Sequence, residues 1–232
     1  MQNLERLVDQ AFSDLKSTCG GVRNDYFGLI YLEKEHGVGR EKALNQIAFG
    51  GSDYGIDGFH FDKERQNLYL FQFKFTTSHA QFKESLQRLI ENGIELIFVN
   101  PNSDNHKNQI ITQLRSCMVE NRALIKQVCI HFIFLGDPVD AERSQVLDKL
   151  REDLENKKYL IDKFFGEEQV NLVVDFRSMS GKVGSITDQK KTHIYDLPIK
   201  NMFTQSGPNG EIMNVCMIRL MDLHRIYKEM GK

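Results

Sequence analysis

The stretch Leu68-Tyr-Leu-Phe-Gln-Phe-Lys-Phe75 constrains this chain more than any other. In an extended strand successive side chains point to opposite faces. Leu68, Leu70, Gln72 and Lys74 therefore share one face, and Tyr69, Phe71, Phe73 and Phe75 share the other. Apolar bulk on both faces needs cover on both, which places the strand at the centre of a sheet with helices above and below. With 41% apolar residues among 232, the chain has the material for such a core.

The flanking sequence supplies the cover. Leu4, Leu7, Val8, Phe12 and Leu15 recur at helical spacing from about Asn3 to Lys16. Further helices are expected from Asp25 to His36, with Phe27, Ile30 and Tyr31 inward, and from Arg40 to Phe49. After the glycine-rich loop Gly50-Gly-Ser-Asp-Tyr-Gly55, Ile56 to Phe61 reads as a strand that forms a hairpin with Leu68 to Phe75. Alternation follows: helix Ser78 to Asn92, strand Ile94 to Val99, helix His106 to Arg122, strand Val128 to Leu135, helix Asp140 to Lys158 and strand Val170 to Phe176. The fold class expected is α/β, a mixed sheet sandwiched by helices. The core spans residues 1–176, and 177–232 forms a small α+β extension with strands Thr192 to Ile199 and Ile212 to Ile218 and a last helix, Met221 to Met230.

Composition removes several classes of function. A net charge of −2, from 30 Lys+Arg against 32 Asp+Glu, excludes a globally basic nucleic-acid binder. No apolar run approaches the ~18–20 residues of a membrane helix, and no signal peptide is recognisable, so a cytoplasmic location is expected. Cys19, Cys117, Cys129 and Cys216 are scattered without a CxxC pair, and the seven histidines form no HxH or HxxxH pair. Neither a disulfide framework nor a zinc site is expected. No GxGxxG, GxxxxGK or GxSxG supports a small-molecule enzyme.

The informative constellation is Gly50-Gly-Ser-Asp-Tyr-Gly-Ile-Asp57-Gly-Phe59, followed by Gln72-Phe73-Lys74 on the next strand. A carboxylate at the start of one hairpin strand converges with an amide and an ammonium on its neighbour at one edge of the sheet. Asp57, the Gln72 amide oxygen and the Phe73 main-chain carbonyl offer hard oxygen ligands suited to Mg²⁺ or Mn²⁺. Lys74 then stands ready to orient the attacking water and balance charge on a phosphate. The rival reading makes Asp57 a turn-former and Lys74 an edge-strand lysine whose head snorkels to water. Against it, an amide and a cation on the inner face of an apolar strand are costly unless satisfied.

GSDYGIDGF…LYLFQFK resembles the restriction-endonuclease-like, PD-(D/E)xK superfamily in the Gln-x-Lys form of Mrr-like enzymes. It is more similar to the N-terminal nuclease-like region of abortive phage infection (AIPR) proteins. The resemblance rests on residues 50–75, with a weaker likeness in the closing MIRLMDLHRIYKEMGK. It implies a restriction-endonuclease-like fold and a metal-dependent endonuclease in antiphage defence. Carried over by residue, it makes Asp57 the metal carboxylate, Gln72 the second metal-side residue, Lys74 the catalytic lysine and Asp53 a supporting acid behind the ligands. Such enzymes often add a glutamate from an upstream helix. Glu33, Glu35 and Glu41 are available, and Glu33 is preferred for its helix face near Ile30. Gln72 in place of an acid removes one negative charge, so weaker metal binding is expected. AIPR proteins usually continue into further sequence, which makes this chain a short member or a piece of a longer one.

The expected partner is nucleic acid, DNA ahead of RNA. Residues 176–200 carry Arg177, Lys182, Lys190, Lys191 and Lys200 against Asp188 and Asp196, a local +3 able to track phosphates. Lys83 and Arg88 are further candidates near the motif. A homodimer would supply two cuts, since one such site severs one strand. The alternative function is a non-catalytic nucleic-acid-binding or interaction module on the same fold.

Overall fold

The computed structural model describes residues 2–50, 54–99, 109–166, 170–179, 201–206, 212–217 and 221. The chain divides into two compact units, 1–184 and 185–232. The first is a mixed four-stranded sheet with helices on both faces. Its strands are β1 (Gly58–Asp62), β2 (Asn67–Phe73), β3 (Gln127–Phe134) and β4 (Asn171–Ser178), in the order β1-β2-β3-β4. The hairpin β1–β2 is antiparallel, whereas β2–β3 and β3–β4 are parallel and joined by helical crossovers. β2 has a neighbour on each side, the central position that its two apolar faces require. β4 runs to Ser178, past the expected core boundary at 176.

Alternation along β2 sorts two cores. Tyr69, Phe71 and Phe73 pack with Leu4, Val8 and Ala11 of α1 (Gln2–Cys19) and with Tyr26, Phe27, Ile30 and Tyr31 of α2 (Arg23–Glu35). Leu68 and Leu70 face a larger core built with Phe132, Phe134 and Phe176 from the sheet. The cover on that side comes from α4 (Phe82–Arg88), α5 (Ile94–Phe98), α6 (Gln109–Glu120), α8 (Gln145–Glu155) and α9 (Lys158–Phe165). The short helices α3 (Arg40–Leu44) and α7 (Pro138–Glu142) complete the unit, and Asp137 caps α7 by accepting from the Val139 N–H at 2.9 Å.

One expected strand is a helix. Ile94 to Val99 reads as β from its β-branched and aromatic residues, yet Ile94–Phe98 is α-helical and continues α4 through a π turn at Leu89–Gly93. The π turn inserts one residue, so Phe82, Leu86, Leu89, Ile94 and Ile97 all stay buried, although a constant 3.6-residue period would separate them. Gly93 makes the turn possible, because a Cβ there would lie 2.5 Å from the Tyr54 carbonyl. The expected helix Asp140 to Lys158 is likewise divided among α7, α8 and α9.

In the second unit β5 (Asn201–Ser206) and β6 (Ile212–Met217) form an antiparallel pair. The expected strand Thr192 to Ile199 lies outside the described residues, and only Met221 of the last expected helix is described, as helical. Among the described residues no helix is long and apolar enough to cross a membrane.

Candidate functional site

Asp57 immediately precedes β1, whose register with β2 ends at Gly58 opposite Phe71. The Asp57 N–H donates to the Phe71 carbonyl and its own carbonyl accepts from Ala48 N–H, both at 2.8 Å. The pair is inside the protein: Asp57 is 8% exposed and Gln72 2%. A carboxylate so placed is expensive unless donors reach it. Two do, since Asp57 Oδ2 accepts from Gln72 Nε2 and from the Phe73 N–H at 2.8 Å.

This contact orients the Gln72 amide. Its NH₂ must face the carboxylate, since the reverse would oppose two acceptors. Oε1 is therefore turned away, where it is buried and has no hydrogen-bond donor among the described residues. Lys74 lies just past β2, half-buried, on the side of the strand that alternation assigns to Gln72. Its N–H donates to the Ile133 carbonyl at 2.9 Å, carrying the β2–β3 ladder one residue further.

The approach to Asp57 is shaped by glycine. Gly55 has φ of 89°, and a Cβ on it would lie 2.6 Å from the Ser85 carbonyl, so only glycine lets the loop lie against α4. Lys83 and Arg88 stand on the exposed side of α4, and Arg88 faces Glu84 at 3.9 Å. Asp53, Lys190 and Lys191 lie outside the described residues.

Glu33 is not brought to this site. Both its carboxylate oxygens take Arg40: Nη2 donates to Oε2 at 2.9 Å and Nε to Oε1. The end of α2 that meets the β2 terminus is the other one, marked by Asn24, about 13 Å along the axis at 1.5 Å per residue. Two residues there escaped the sequence reading. Asn24 Nδ2 donates to the Phe73 carbonyl at 2.7 Å while Asn24 Oδ1 accepts from the Phe75 N–H at 2.5 Å. Asp25 Oδ2 accepts from Val22 N–H at 2.9 Å and from Gly50 N–H at 3.2 Å, tying the helix start to the glycine loop. Two amide or carboxyl side chains in succession exceed what a helix cap needs. That surplus was the available signal.

A second polar cluster lies on the other face of β2. His36, His60 and His131, dispersed in sequence, gather around Tyr69: ring centroids are 5.1 Å apart for His36–His60, 4.9 Å for His36–Tyr69 and 5.2 Å for Tyr69–His131. Burial lowers the pKa of His36 and His60 to about 4, helped by His60 in the first case and Lys42 in the second. Burial and then Arg177 lower His131 to about 3. Among the described residues neither ring nitrogen has a hydrogen-bond partner, and Asp175 Oδ2 is 3.8 Å from Nε2.

Among the described residues no group of three or more His, Cys, Asp and Glu is arranged to hold a metal ion. The oxygen donors at Asp57 are instead one carboxylate, one side-chain amide and main-chain carbonyls. Cys19, Cys117 and Cys129 are free thiols, and burial raises the pKa of Cys117 and Cys129. No protein-family model, curated protein or solved structure matches the chain.

Proposed function

We propose that this protein is a metal-dependent nuclease that hydrolyses phosphodiester bonds of nucleic acid, DNA ahead of RNA. In this reading the sheet and its helices are a restriction-endonuclease-like core, related to that of AIPR proteins and serving antiphage defence. One observation carries it: the buried pair Asp57–Gln72, whose amide oxygen Oε1 has no donor among the described residues. A buried acceptor without a partner costs about 1–3 kcal/mol, and a bound cation would remove that cost.

The donor set fits a hard divalent ion such as Mg²⁺ or Mn²⁺. Asp57 and Gln72 Oε1 would hold it, together with the Phe73 carbonyl, which has a second lone pair beyond the one Asn24 occupies. When bound, the ion supplies Lewis acidity and acidifies water. The chain's own residues do the rest. Asp57 and Gln72 hold each other in place through their mutual hydrogen bond. Lys74, rooted beyond Gln72, orients the attacking water and offsets negative charge growing on the phosphate oxygens through its Nζ.

Purified protein with Mg²⁺ or Mn²⁺ is expected to cut DNA or RNA, and Asp57→Ala and Lys74→Ala each to lose cleavage by a factor of about 10³ or more. Cleavage at the wild-type rate in both folded variants would sink the assignment. A single carboxylate among the donors that the described residues supply favours the second reading, a binding module on the same fold. No heat of Mn²⁺ binding at millimolar ion, with nucleic acid still bound, would select that alternative.

A further inference from the structure

Lys74 lies outside the regular strand, yet all four polar groups of its two flanking peptides are engaged. Its N–H donates to Ile133 O at 2.9 Å, its carbonyl accepts from Thr76 N–H at 2.7 Å, and Asn24 holds the remaining two, the Phe73 carbonyl and the Phe75 N–H. Asn24 thus spans Lys74, binding the peptide before it and the peptide after it. The effect is that of a neighbouring strand supplied by one side chain. β1 pairing gives out at this point, because Asp57 uses its carboxylate, not its backbone, to take the Phe73 N–H.

The consequence is geometric. A lysine head sits on a flexible four-carbon stem, so its aim depends on how firmly its Cα and the peptides around it are held. The Phe73 carbonyl fixes ψ of Phe73 and the plane of the peptide leading into Lys74, and the Phe75 N–H fixes the plane leading out. Asn24 is itself held: it belongs to the first turn of α2, whose Phe27 packs edge-on against Phe73, with centroids 6.0 Å apart. The adjoining Asp25 anchors Gly50 in the loop that leads to Asp57. Successive residues of one helix turn therefore hold the two halves of the motif, which lie on different strands.

We infer that Asn24 is a positioning residue for phosphodiester hydrolysis, setting the Lys74 ammonium and the Phe73 carbonyl toward Asp57 and Gln72; this rests on the nuclease reading. Asn24→Ala removes both hydrogen bonds. Asn24→Asp keeps the shape and the acceptor for Phe75 N–H but sets a carboxylate oxygen against the Phe73 carbonyl.

The test is steady-state cleavage by the full chain with Mn²⁺, alongside amide hydrogen exchange at Phe75 and calorimetric Mn²⁺ binding. Asn24→Ala is expected to lower kcat about ten- to a hundredfold, the scale of a small misplacement of a reacting group. KM should stay within about threefold, which separates positioning from ground-state binding. Phe75 exchange should quicken by about tenfold or more in Asn24→Ala and stay slow in Asn24→Asp. Asn24→Asp should still lose kcat, since the peptide before Lys74 is released. If Asn24→Ala does not fold, the isosteric Asn24→Asp carries the test. Wild-type kcat in either folded variant, against an active parent, overturns the positioning role alone. A parent that cleaves neither DNA nor RNA overturns the nuclease reading, and the positioning role with it, whatever Phe75 exchange reports.

Discussion

On one face of β2, Gln72 lies against a buried carboxylate that two N–H donors reach. On the other, Tyr69 lies among three histidines, one of which has no hydrogen bond to either ring nitrogen among the described residues. Both clusters bring polar groups into an apolar sheet, where each must find a partner or be neutral. Around Asp57 the solution is partnership, with one amide oxygen left over. Around Tyr69 it is neutrality, since burial holds all three imidazoles uncharged near pH 7. In the proposed nuclease the leftover oxygen would serve a cation; the neutral rings are a packing device sensitive to acid.

That contrast can be broken most forcefully with acid. An imidazole titrates near pH 6.5 in an unfolded chain, while His36 and His60 titrate at about 4 and His131 at about 3 in the folded one. Between those values the unfolded state binds more protons, so stability falls as pH falls. Stability is expected to be unaffected by these groups above pH ~7, then to drop by up to about 1.4 kcal/mol per pH unit for each histidine down to about pH 4. The charges facing the cluster are mixed: Lys42, Arg65 and Arg177 oppose protonation while Asp62 and Asp175 favour it. Urea midpoints from pH 8 to 5 measure the slope, and His131→Phe should flatten it. An unchanged slope in that variant would mean that His131 gains no charge on unfolding.

Gln72→Glu sharpens the other half. It removes the donor to Asp57 and sets two carboxylates opposite each other, which cannot both ionise at such range. The metal-free variant should lose about 1.5–3 kcal/mol, as for a hydrogen bond to a charged group. Mn²⁺ should raise its Tm more than it raises that of the parent. Equal shifts would deny that the pair forms a cation site.

The smallest effect is expected at Glu33→Gln, which weakens the ion pair with the half-exposed Arg40. Thermal unfolding should report less than about 1 kcal/mol, the usual value of such pairs. Cleavage within about twofold of the parent would accord with its place away from Asp57; a large loss of kcat would bring Glu33 back to the reaction.

Much of this arrangement is legible in the residues. Alternation of Leu68 to Phe75 gives the central strand, and the hairpin brings Asp57 and Gln72 to one edge of the sheet. The helix at Ile94 is not legible, because Ile-Glu-Leu-Ile-Phe-Val carries the composition of a strand and the π turn that re-phases its apolar face depends on Gly93 meeting Tyr54. Glu33 shares a helix with Asn24, and only the direction of α2 across the sheet distinguishes them. Asn24 beside Asp25 is one polar side chain more than a helix cap needs, but nothing local says which strand end it meets. The histidine cluster is invisible too, since His36, His60 and His131 come from three distant segments.

The sequence by itself determined the period-two and helical faces, and with them a mixed sheet under two helical layers. It also determined the adjacency of Asp57 and Gln72, which a single hairpin brings together. Tertiary structure alone decided which helix end meets that hairpin and which long-range hydrogen bonds form there. Local periodicity reports which face of an element is buried. It carries no information on how far an element slides along its neighbour, and Asn24 or Glu33 at the strand terminus is a matter of such sliding.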